Sequence, residues 1–181
     1  GILARDCEEH RQQAAQNGIR FIDLVVVNLY PFRETIAKPG VSFAEAIENI
    51  DIGGPTMVRA AAKNQERVTI IVNPRHYSAV LAVLQKKGKV PREMRQRLAA
   101  EAFAHTAEYD RVIAGYLEQR LEPQAVFPSV IRLMANKVQD LRYGENPQQH
   151  AALYATLQEG TLASGRQIQG KELSYNNWTD M

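Results

Sequence analysis

A continuous apolar run at residues 21–27 constrains the fold of this chain more than any other feature. The run is rich in β-branched side chains, and it is too short and too unbroken for an amphipathic helix. Such a run is typical of a strand that is buried on both faces of a parallel sheet. It ends at residues 28–32, where Pro31 prevents further strand pairing. The run therefore predicts a parallel β-sheet.

Helical segments alternate with this run and with a second buried strand at residues 68–72. Ser42, with Glu45 three residues later, is typical of the start of a helix, and Asn17-Gly18 and Gly88 are typical of helix ends. The helices are predicted at residues 6–17, 43–49, 57–63, 77–87 and 91–121. Alternating strands and helices predict an α/β fold.

The character of the sequence changes around residues 123–128, where two prolines interrupt the helical periodicity. We interpret this stretch as a domain boundary, with one domain at residues 1–125 and a second one from residue 128 to residue 181. Short strands are predicted in the second domain at residues 130–141, 151–157 and 167–173.

The composition favours a soluble globular protein. The 181 residues are 45% hydrophobic, and charges of both signs are interspersed to give a net charge of +2, too weak a bias to indicate nucleic-acid binding. A single cysteine, Cys7, allows no internal disulfide and favours a reducing compartment. No apolar run approaches the roughly 20 residues of a membrane span. We therefore expect a cytosolic protein.

Three polar side chains lie near the ends of the predicted strands and the Gly53-Gly54 turn, where an α/β sheet binds its ligand. Tyr30 follows the first strand, Asp51 precedes the glycines, and Lys63 ends the alanine-rich segment. A glycine turn that leads into a helix N-terminus suits a phosphate, a carbonyl oxygen or a developing oxyanion. Each feature also has a structural interpretation: strand-end packing for Tyr30, helix capping for Asp51 and a solvated helix end for Lys63.

Two further polar clusters lie in the second half of the chain. Residues 141–147 place Arg142 beside Tyr143, which suits a phosphate and a planar ring, or an ordinary surface turn. Residues 170–177 form an amide-rich turn that either recognises an amide-bearing ring or completes a loop. For His105, in the long helix, a catalytic role is one interpretation, and the favoured one is a packing histidine with a hydrogen-bond partner. The remaining histidines show no metal-ligand spacing, so no metal is predicted.

Taken in order, these segments closely resemble the bacterial AICAR transformylase/IMP cyclohydrolase family over essentially the whole chain. The resemblance is carried by residues 28–32, 50–57, 59–64, 103–110, 141–147 and 169–177. It implies the C-terminal part of a methylglyoxal-synthase-like (Rossmann-like) parallel-sheet domain, followed by the start of a cytidine-deaminase-like α/β transformylase domain.

The resemblance also implies the last two steps of de novo purine synthesis to IMP. A formyl group passes from the co-substrate 10-formyltetrahydrofolate to AICAR, and formyl-AICAR then closes its ring with loss of water. The enzyme is thus a phosphoribosylaminoimidazolecarboxamide formyltransferase and IMP cyclohydrolase. It is expected to be a homodimer that binds these small molecules and neither nucleic acid nor a membrane.

The family's site residues carry over to matching positions of this chain. Catalytic roles fall to Tyr30, Asp51 and Lys63. Substrate-binding roles fall to Asn28, Gly53, Gly54, Arg142, Tyr143 and Asn176. Tyr30 and Lys63 would stabilise charge on the formamide oxygen, and Asp51 would orient the carboxamide.

The chain also departs from the family pattern. Gln148 and Gln65 stand where many members have histidine. The family's glycine-rich phosphate loop, its Arg-x-Lys-Thr segment and its Lys-His pair are not in the 181 residues. We therefore expect an internal fragment that is catalytically silent alone.

Two other functions remain open from the sequence. One is a non-catalytic methylglyoxal-synthase-like module that binds a phosphorylated purine metabolite. The other, suggested only by the basic isoelectric point, is a nucleic-acid-binding protein whose affinity would fall steeply with salt.

Overall fold

The chain forms two compact units, Gly1–Gln124 and Ala125–Met181. The structure is a computed structural model that describes residues 1–124, 126–127, 130–156 and 160–181. Part of the predicted boundary at residues 123–128, and residue 157 at the end of a predicted strand, lie outside the described residues. In the part of the chain that is described, no helix has the length and apolar character needed to cross a membrane.

The first unit is an α/β structure, which confirms the predicted fold class. Strands β1 and β2 pair in parallel, with Leu24 opposite Thr69 and Val26 opposite Ile71. In chain order the elements are α1 (Glu8–Gln16), β1 (Leu24–Val26), α2 (Phe32–Ile36), α3 (Phe43–Glu48), α4 (Gly53–Lys63), β2 (Thr69–Ile71), a 3₁₀ helix (Pro74–His76), α5 (Tyr77–Lys87) and α6 (Arg92–Leu121).

Only one of the two strands is buried on both faces. All residues of β2 are buried, as predicted. In β1, Val25 is buried while Leu24 and Val26 are 40% and 47% exposed, so the prediction of burial on both faces is wrong for this strand. Side chains alternate along a strand, and the apolar cluster with α4 and α6 contains Val25 but neither Leu24 nor Val26.

Small side chains bring α4 and α6 close together beside the sheet. Ala61 and Ala62 on α4, and Ala99 and Ala102 on α6, are all nearly or fully buried in one apolar cluster with both strands. An alanine presents little more than backbone at a helix surface, so the two helices can approach closely. The alanine-rich segment is thus a packing surface that sets where α6 stands.

Local capping signals are confirmed at the helix ends. The Ser42 hydroxyl accepts a hydrogen bond from the Glu45 N–H at 3.1 Å, at the start of α3. Gly18 and Gly88, after α1 and α5, have φ values of 63° and 69°, the left-handed conformation that glycine adopts without strain.

The second unit contains an antiparallel pair of strands. Its elements are β3 (Asn136–Leu141), β4 (Ala151–Ala155), a 3₁₀ helix (Leu162–Ser164) and α7 (Tyr175–Thr179), with Leu141 opposite Ala151. The strand predicted at residues 130–141 begins only at Asn136, so the prediction of a strand at residues 130–135 is wrong.

The strand predicted at residues 167–173 is also wrong. Two of its carbonyl groups bond within the segment, because the Gln167 side chain donates to the carbonyls of Gln169 at 3.0 Å and Lys171 at 2.8 Å. Gly170, with φ of 100°, turns the backbone out of the extended conformation.

Replacing Ile70 with Ala should lower the free energy of unfolding by about 2–5 kcal/mol, because Ile70 is fully buried between the sheet and its helices. Urea unfolding of the complete protein measures the change. Leu81→Ala on α5, where the leucine is 56% exposed, is the control and should have little effect. Equal effects of the two substitutions would contradict the core assignment.

Candidate functional site

A cleft of about 270 Å³ lies at the carboxyl ends of the two parallel strands. One wall is formed by residues 28–34, which follow β1, with Val72 after β2 at its base. The facing wall is α6, which contributes His105 and Tyr109. Ligands of open α/β sheets bind at this edge of the sheet, so the cleft is the candidate site of the first unit.

Two of the predicted site residues line this cleft, Asn28 and Tyr30. The Asn28 side chain donates to the Tyr77 hydroxyl at 3.3 Å, which links the loop after β1 to α5. Tyr30 is 57% exposed. Its position is fixed by the hydrogen bond from its backbone N–H to Asp51 and not by a contact of its phenol. The phenol is therefore available to a ligand.

Asp51 ties the loop after β1 to the start of α4. One carboxylate oxygen accepts from the Gly54 N–H at 2.7 Å, and the other accepts from the Tyr30 N–H at 3.3 Å. The first bond satisfies a backbone donor at the helix N-terminus, as the capping interpretation of Asp51 expects. Asp51 thereby fixes the backbone that carries Tyr30.

The two glycines of the turn differ in what they allow. A Cβ atom on Gly54 would lie 2.4 Å from an Asp51 carboxylate oxygen and 2.7 Å from a methyl carbon of Leu29, whereas one on Gly53 would meet nothing within 4 Å. Neither glycine has a positive φ. The backbone conformation therefore does not require glycine at either position; Gly54 is needed because Asp51 and Leu29 approach so closely.

Tyr109 on α6 holds Asp51 from the other side. Its hydroxyl accepts from the Asp51 N–H at 2.9 Å and lies 3.5 Å from the Asn49 carbonyl, to which it donates. Burial raises the pKa of the Tyr109 phenol, because the phenolate would lose hydration. Sequence analysis assigned this residue no role, since nothing local links it to Asp51, 58 positions earlier.

Lys63 lies away from this arrangement. It is exposed at the C-terminal end of α4, about 15 Å of helix rise from Gly53. The structure brings Tyr30, Asp51 and Gly54 into contact and does not bring Lys63 to them. The catalytic role of Lys63 stays a prediction.

An ion-pair cluster forms part of the cleft wall on α6. Arg111 donates to both carboxylate oxygens of Glu108, at 2.6 and 2.7 Å, and Arg33 pairs with the same carboxylate. The Arg111 hydrogen bonds, aided by the charges of both arginines, lower the pKa of Glu108. Glu108 is therefore ionised at neutral pH, and both of its carboxylate oxygens accept hydrogen bonds from Arg111.

The second unit brings its three predicted site residues together. The Arg142 N–H donates to the Leu173 carbonyl at 3.0 Å, and the Tyr175 N–H donates to the Tyr143 carbonyl at 3.1 Å, so residues 142–143 run beside residues 173–176. The Asn176 side chain donates to the Glu145 carbonyl at 3.3 Å.

Arg142 stacks on its neighbour in this second cluster. Its guanidinium carbon lies 4.8 Å from the Tyr143 ring centroid. A hydrogen bond from the Ser174 side chain, followed by the one from Arg142, lowers the pKa of Tyr143. The stack presents a planar cation at the surface, which suits a planar or anionic ligand. Within the described residues, no group of three His, Cys, Asp or Glu side chains is placed to hold a metal ion.

Comparisons with known families match nearly the whole chain. The family model described as AICARFT/IMPCHase bienzyme matches residues 61–181, and the model of an MGS-like domain matches residues 3–56.

Curated relatives with one name cover the chain from end to end. A bifunctional purine biosynthesis protein PurH of Desulfitobacterium hafniense (strain DSM 10664 / DCB-2) is 66% identical over 188 residues, which is 100% of this chain and 36% of that protein. The PurH of Bacillus cytotoxicus is 52% identical over 99% of this chain and 35% of its own length. The chain thus spans little more than a third of these relatives.

A solved structure is similar as well. It is titled "Crystal structure of ForH" and is 40% identical in sequence, with a TM-score of 0.56. The similarity covers 62% of this chain and 59% of that one.

Replacing Gly54 with Ala should destabilise the protein by about 1–3 kcal/mol, because the added methyl group displaces Asp51 or Leu29. Gly53→Ala is the matched control. It adds the same methyl group in open space and should be neutral or stabilising by up to about 1 kcal/mol. Thermal unfolding of both variants tests the difference, and equal effects would contradict the steric role of Gly54.

Replacing Glu108 with Gln should lower stability at neutral pH and lose this effect in acid. Because the folded pKa of Glu108 is lowered, its contribution is complete above the unfolded value of about 4.3 and is lost as the pH falls through the folded value. Urea unfolding across this range measures the change. Glu48→Gln, at an exposed position of α3, is the control. If the loss of unfolding free energy caused by Glu108→Gln did not depend on pH, the ion-pair role would be contradicted.

Proposed function

The chain belongs to the AICARFT/IMPCHase bienzyme family, and we propose that the complete protein performs the last two steps of purine synthesis to IMP. The identity of 66% to a PurH protein over the whole of this chain is the observation that carries this proposal. The proposal assigns residues 1–125 to the cyclohydrolase domain and residues 128–181 to the opening of the transformylase domain. It also includes a cytosolic homodimer.

The cyclohydrolase step needs a nucleophile and an electrophile held in one cleft. In formyl-AICAR the carboxamide nitrogen attacks the formamide carbon, a C–N bond forms, and the formamide oxygen leaves as water with protons from the two nitrogens. Negative charge develops on the formamide oxygen as the nitrogen attacks. A positioned hydrogen-bond donor stabilises that charge in the transition state.

Tyr30 is the donor that we place at this oxygen. Its phenol is exposed at the cleft, while its backbone is fixed by Asp51. A fixed backbone with a free hydroxyl is the arrangement that a positioned donor needs. Asn28, on the same loop, would bind the heterocycle from the same wall.

Asp51 has acceptor capacity left for the carboxamide. An ionised carboxylate has about four acceptor positions, and the bonds from Gly54 and Tyr30 use two of them. We propose that a remaining lone pair accepts from the carboxamide N–H and directs its nitrogen at the formamide carbon. The backbone at Gly53 completes the proposed set at the cleft. The proposed role of Lys63 as a second stabiliser of the formamide oxygen gets no support from its position at the far end of α4.

The formyl transfer is assigned to the second unit together with further parts of the complete protein. Arg142 and Tyr143 would bind AICAR through the cationic stack, and Asn176 would bind a polar group of the same ligand. The formyl donor is 10-formyltetrahydrofolate, which gives its formyl group to the 5-amino group of AICAR.

A second candidate function is binding of a phosphorylated purine metabolite without chemistry. The position of Lys63, at the far end of α4 from Asp51, favours it. In that case the cleft would recognise the ligand through Asn28 and Tyr30, and the complete protein would bind IMP without forming it.

The test is the conversion of formyl-AICAR to IMP, followed by ultraviolet absorbance with the complete protein. We expect turnover, and we expect Tyr30→Phe to lower kcat by about tenfold or more because a transition-state hydrogen bond is lost. Tyr154→Phe is the matched control, since Tyr154 has the same 57% exposure but lies outside the cleft. IMP binding without turnover would favour the second candidate, and full activity of the Tyr30 variant would remove Tyr30 from the mechanism.

A further inference from the structure

His105 lies on the face of α6 that looks into the cleft. It is four positions before Tyr109, and residues four apart on a helix lie on the same face. Both side chains line the cleft opposite Asn28 and Tyr30. The position of Tyr109 is fixed by its contact with Asp51, so the position of His105 along the cleft is fixed with it.

The imidazole of His105 is half-buried and unpaired. Among the described residues it has no hydrogen-bond partner, so the packing histidine with a partner, expected from the sequence, is not what the structure contains. The other histidines differ: His10 accepts from the Arg5 N–H at 2.9 Å, His76 lies 2.7 Å from a Glu101 oxygen, and His150 is exposed.

Among the described residues, the neighbouring charged side chains form no hydrogen bond with the His105 imidazole. Glu108, one turn further along α6, is occupied by Arg111 and Arg33. The Glu108 carboxylate thus already has its partners. Among the described polar side chains on this wall of the cleft, the His105 imidazole is the one without a hydrogen bond. A half-buried polar group without a partner costs free energy unless a ligand or water supplies one.

We infer that His105 contacts the substrate and donates a hydrogen bond to the carbonyl oxygen that the carboxamide of formyl-AICAR and the ring of IMP have in common. This inference rests on the proposed function. An imidazole carries at least one N–H in either protonation state, so His105 always has a donor to offer. The contact faces Asn28 and Tyr30, so the planar heterocycle is held from both walls.

The contact has a kinetic signature that differs from that of Tyr30. The carbonyl oxygen keeps its position from substrate to product, so the hydrogen bond stabilises ground state and transition state alike. Loss of such uniform binding raises KM and leaves kcat nearly unchanged. Tyr30, which acts on the departing oxygen, affects kcat.

The experiment compares His105→Leu and His105→Gln in the complete protein. Leu removes the donor and Gln restores an N–H donor on the same helix face. We expect the Leu variant to raise KM for formyl-AICAR and Kd for IMP about tenfold with kcat within about threefold, and the Gln variant to recover most of the affinity. Ala104→Gln, at the exposed adjacent position of α6, should bind IMP like the wild type.

Several outcomes would overturn the inference. Unchanged affinity in the Leu variant would remove the contact, and equal weakening by Leu and Gln would indicate packing instead. If the Leu variant does not fold, the NMR resonances of the His105 ring nitrogens in the wild-type protein test the contact instead. IMP must shift them, and unshifted signals in the presence of bound IMP overturn the contact. A wild-type protein that neither converts formyl-AICAR nor binds IMP overturns the proposed function as well.

Discussion

The hydrogen bonds of Asp51 are the constraint on which the first unit's cleft depends. Its N–H is held by Tyr109 of α6, and its carboxylate accepts from Gly54 at the start of α4 and from Tyr30 after β1. Three elements that are distant in sequence thus meet at one residue. Without these bonds, the backbone that carries Tyr30 would lose its hydrogen-bonded link to α6, which forms the other wall of the cleft.

The close packing of α4 and α6 makes this meeting possible. Alanines on both helices leave room for α6 to stand beside α4 and β2, so that its middle passes the carboxyl ends of the strands. Phe32, which is 1% exposed, packs edge-on against Tyr116 with ring centroids 5.7 Å apart and anchors the loop after β1 to the same helix. Packing therefore sets the width of the cleft, and hydrogen bonds set the orientation of its polar groups.

Sequence analysis predicted what local signals determine. The runs at residues 21–27 and 68–72 contain the observed strands, and Ser42, Gly18 and Gly88 mark helix ends because their signals act within one turn of chain. It missed what depends on distant neighbours. No pattern near Leu24 indicates that one face of β1 is uncovered, and none near Tyr109 indicates a contact with Asp51. The error at residues 167–173 has the same origin, since the side chain of Gln167 binds the carbonyls that a strand would offer to a neighbour.

The position of Asp51 changes the ligand-binding role expected of the Gly53-Gly54 turn. A free helix N-terminus attracts a phosphate or an oxyanion, but here the Gly54 N–H donates to a carboxylate that already carries negative charge. A second anion at the same point would meet that charge. Under the proposed function, recognition of the substrate's oxygens therefore passes from the helix terminus to two side chains that line the cleft, the Tyr30 phenol and the His105 imidazole. The helix N-terminus instead binds the carboxylate of Asp51, whose remaining lone pairs would accept a hydrogen bond from the attacking amide under the proposed function.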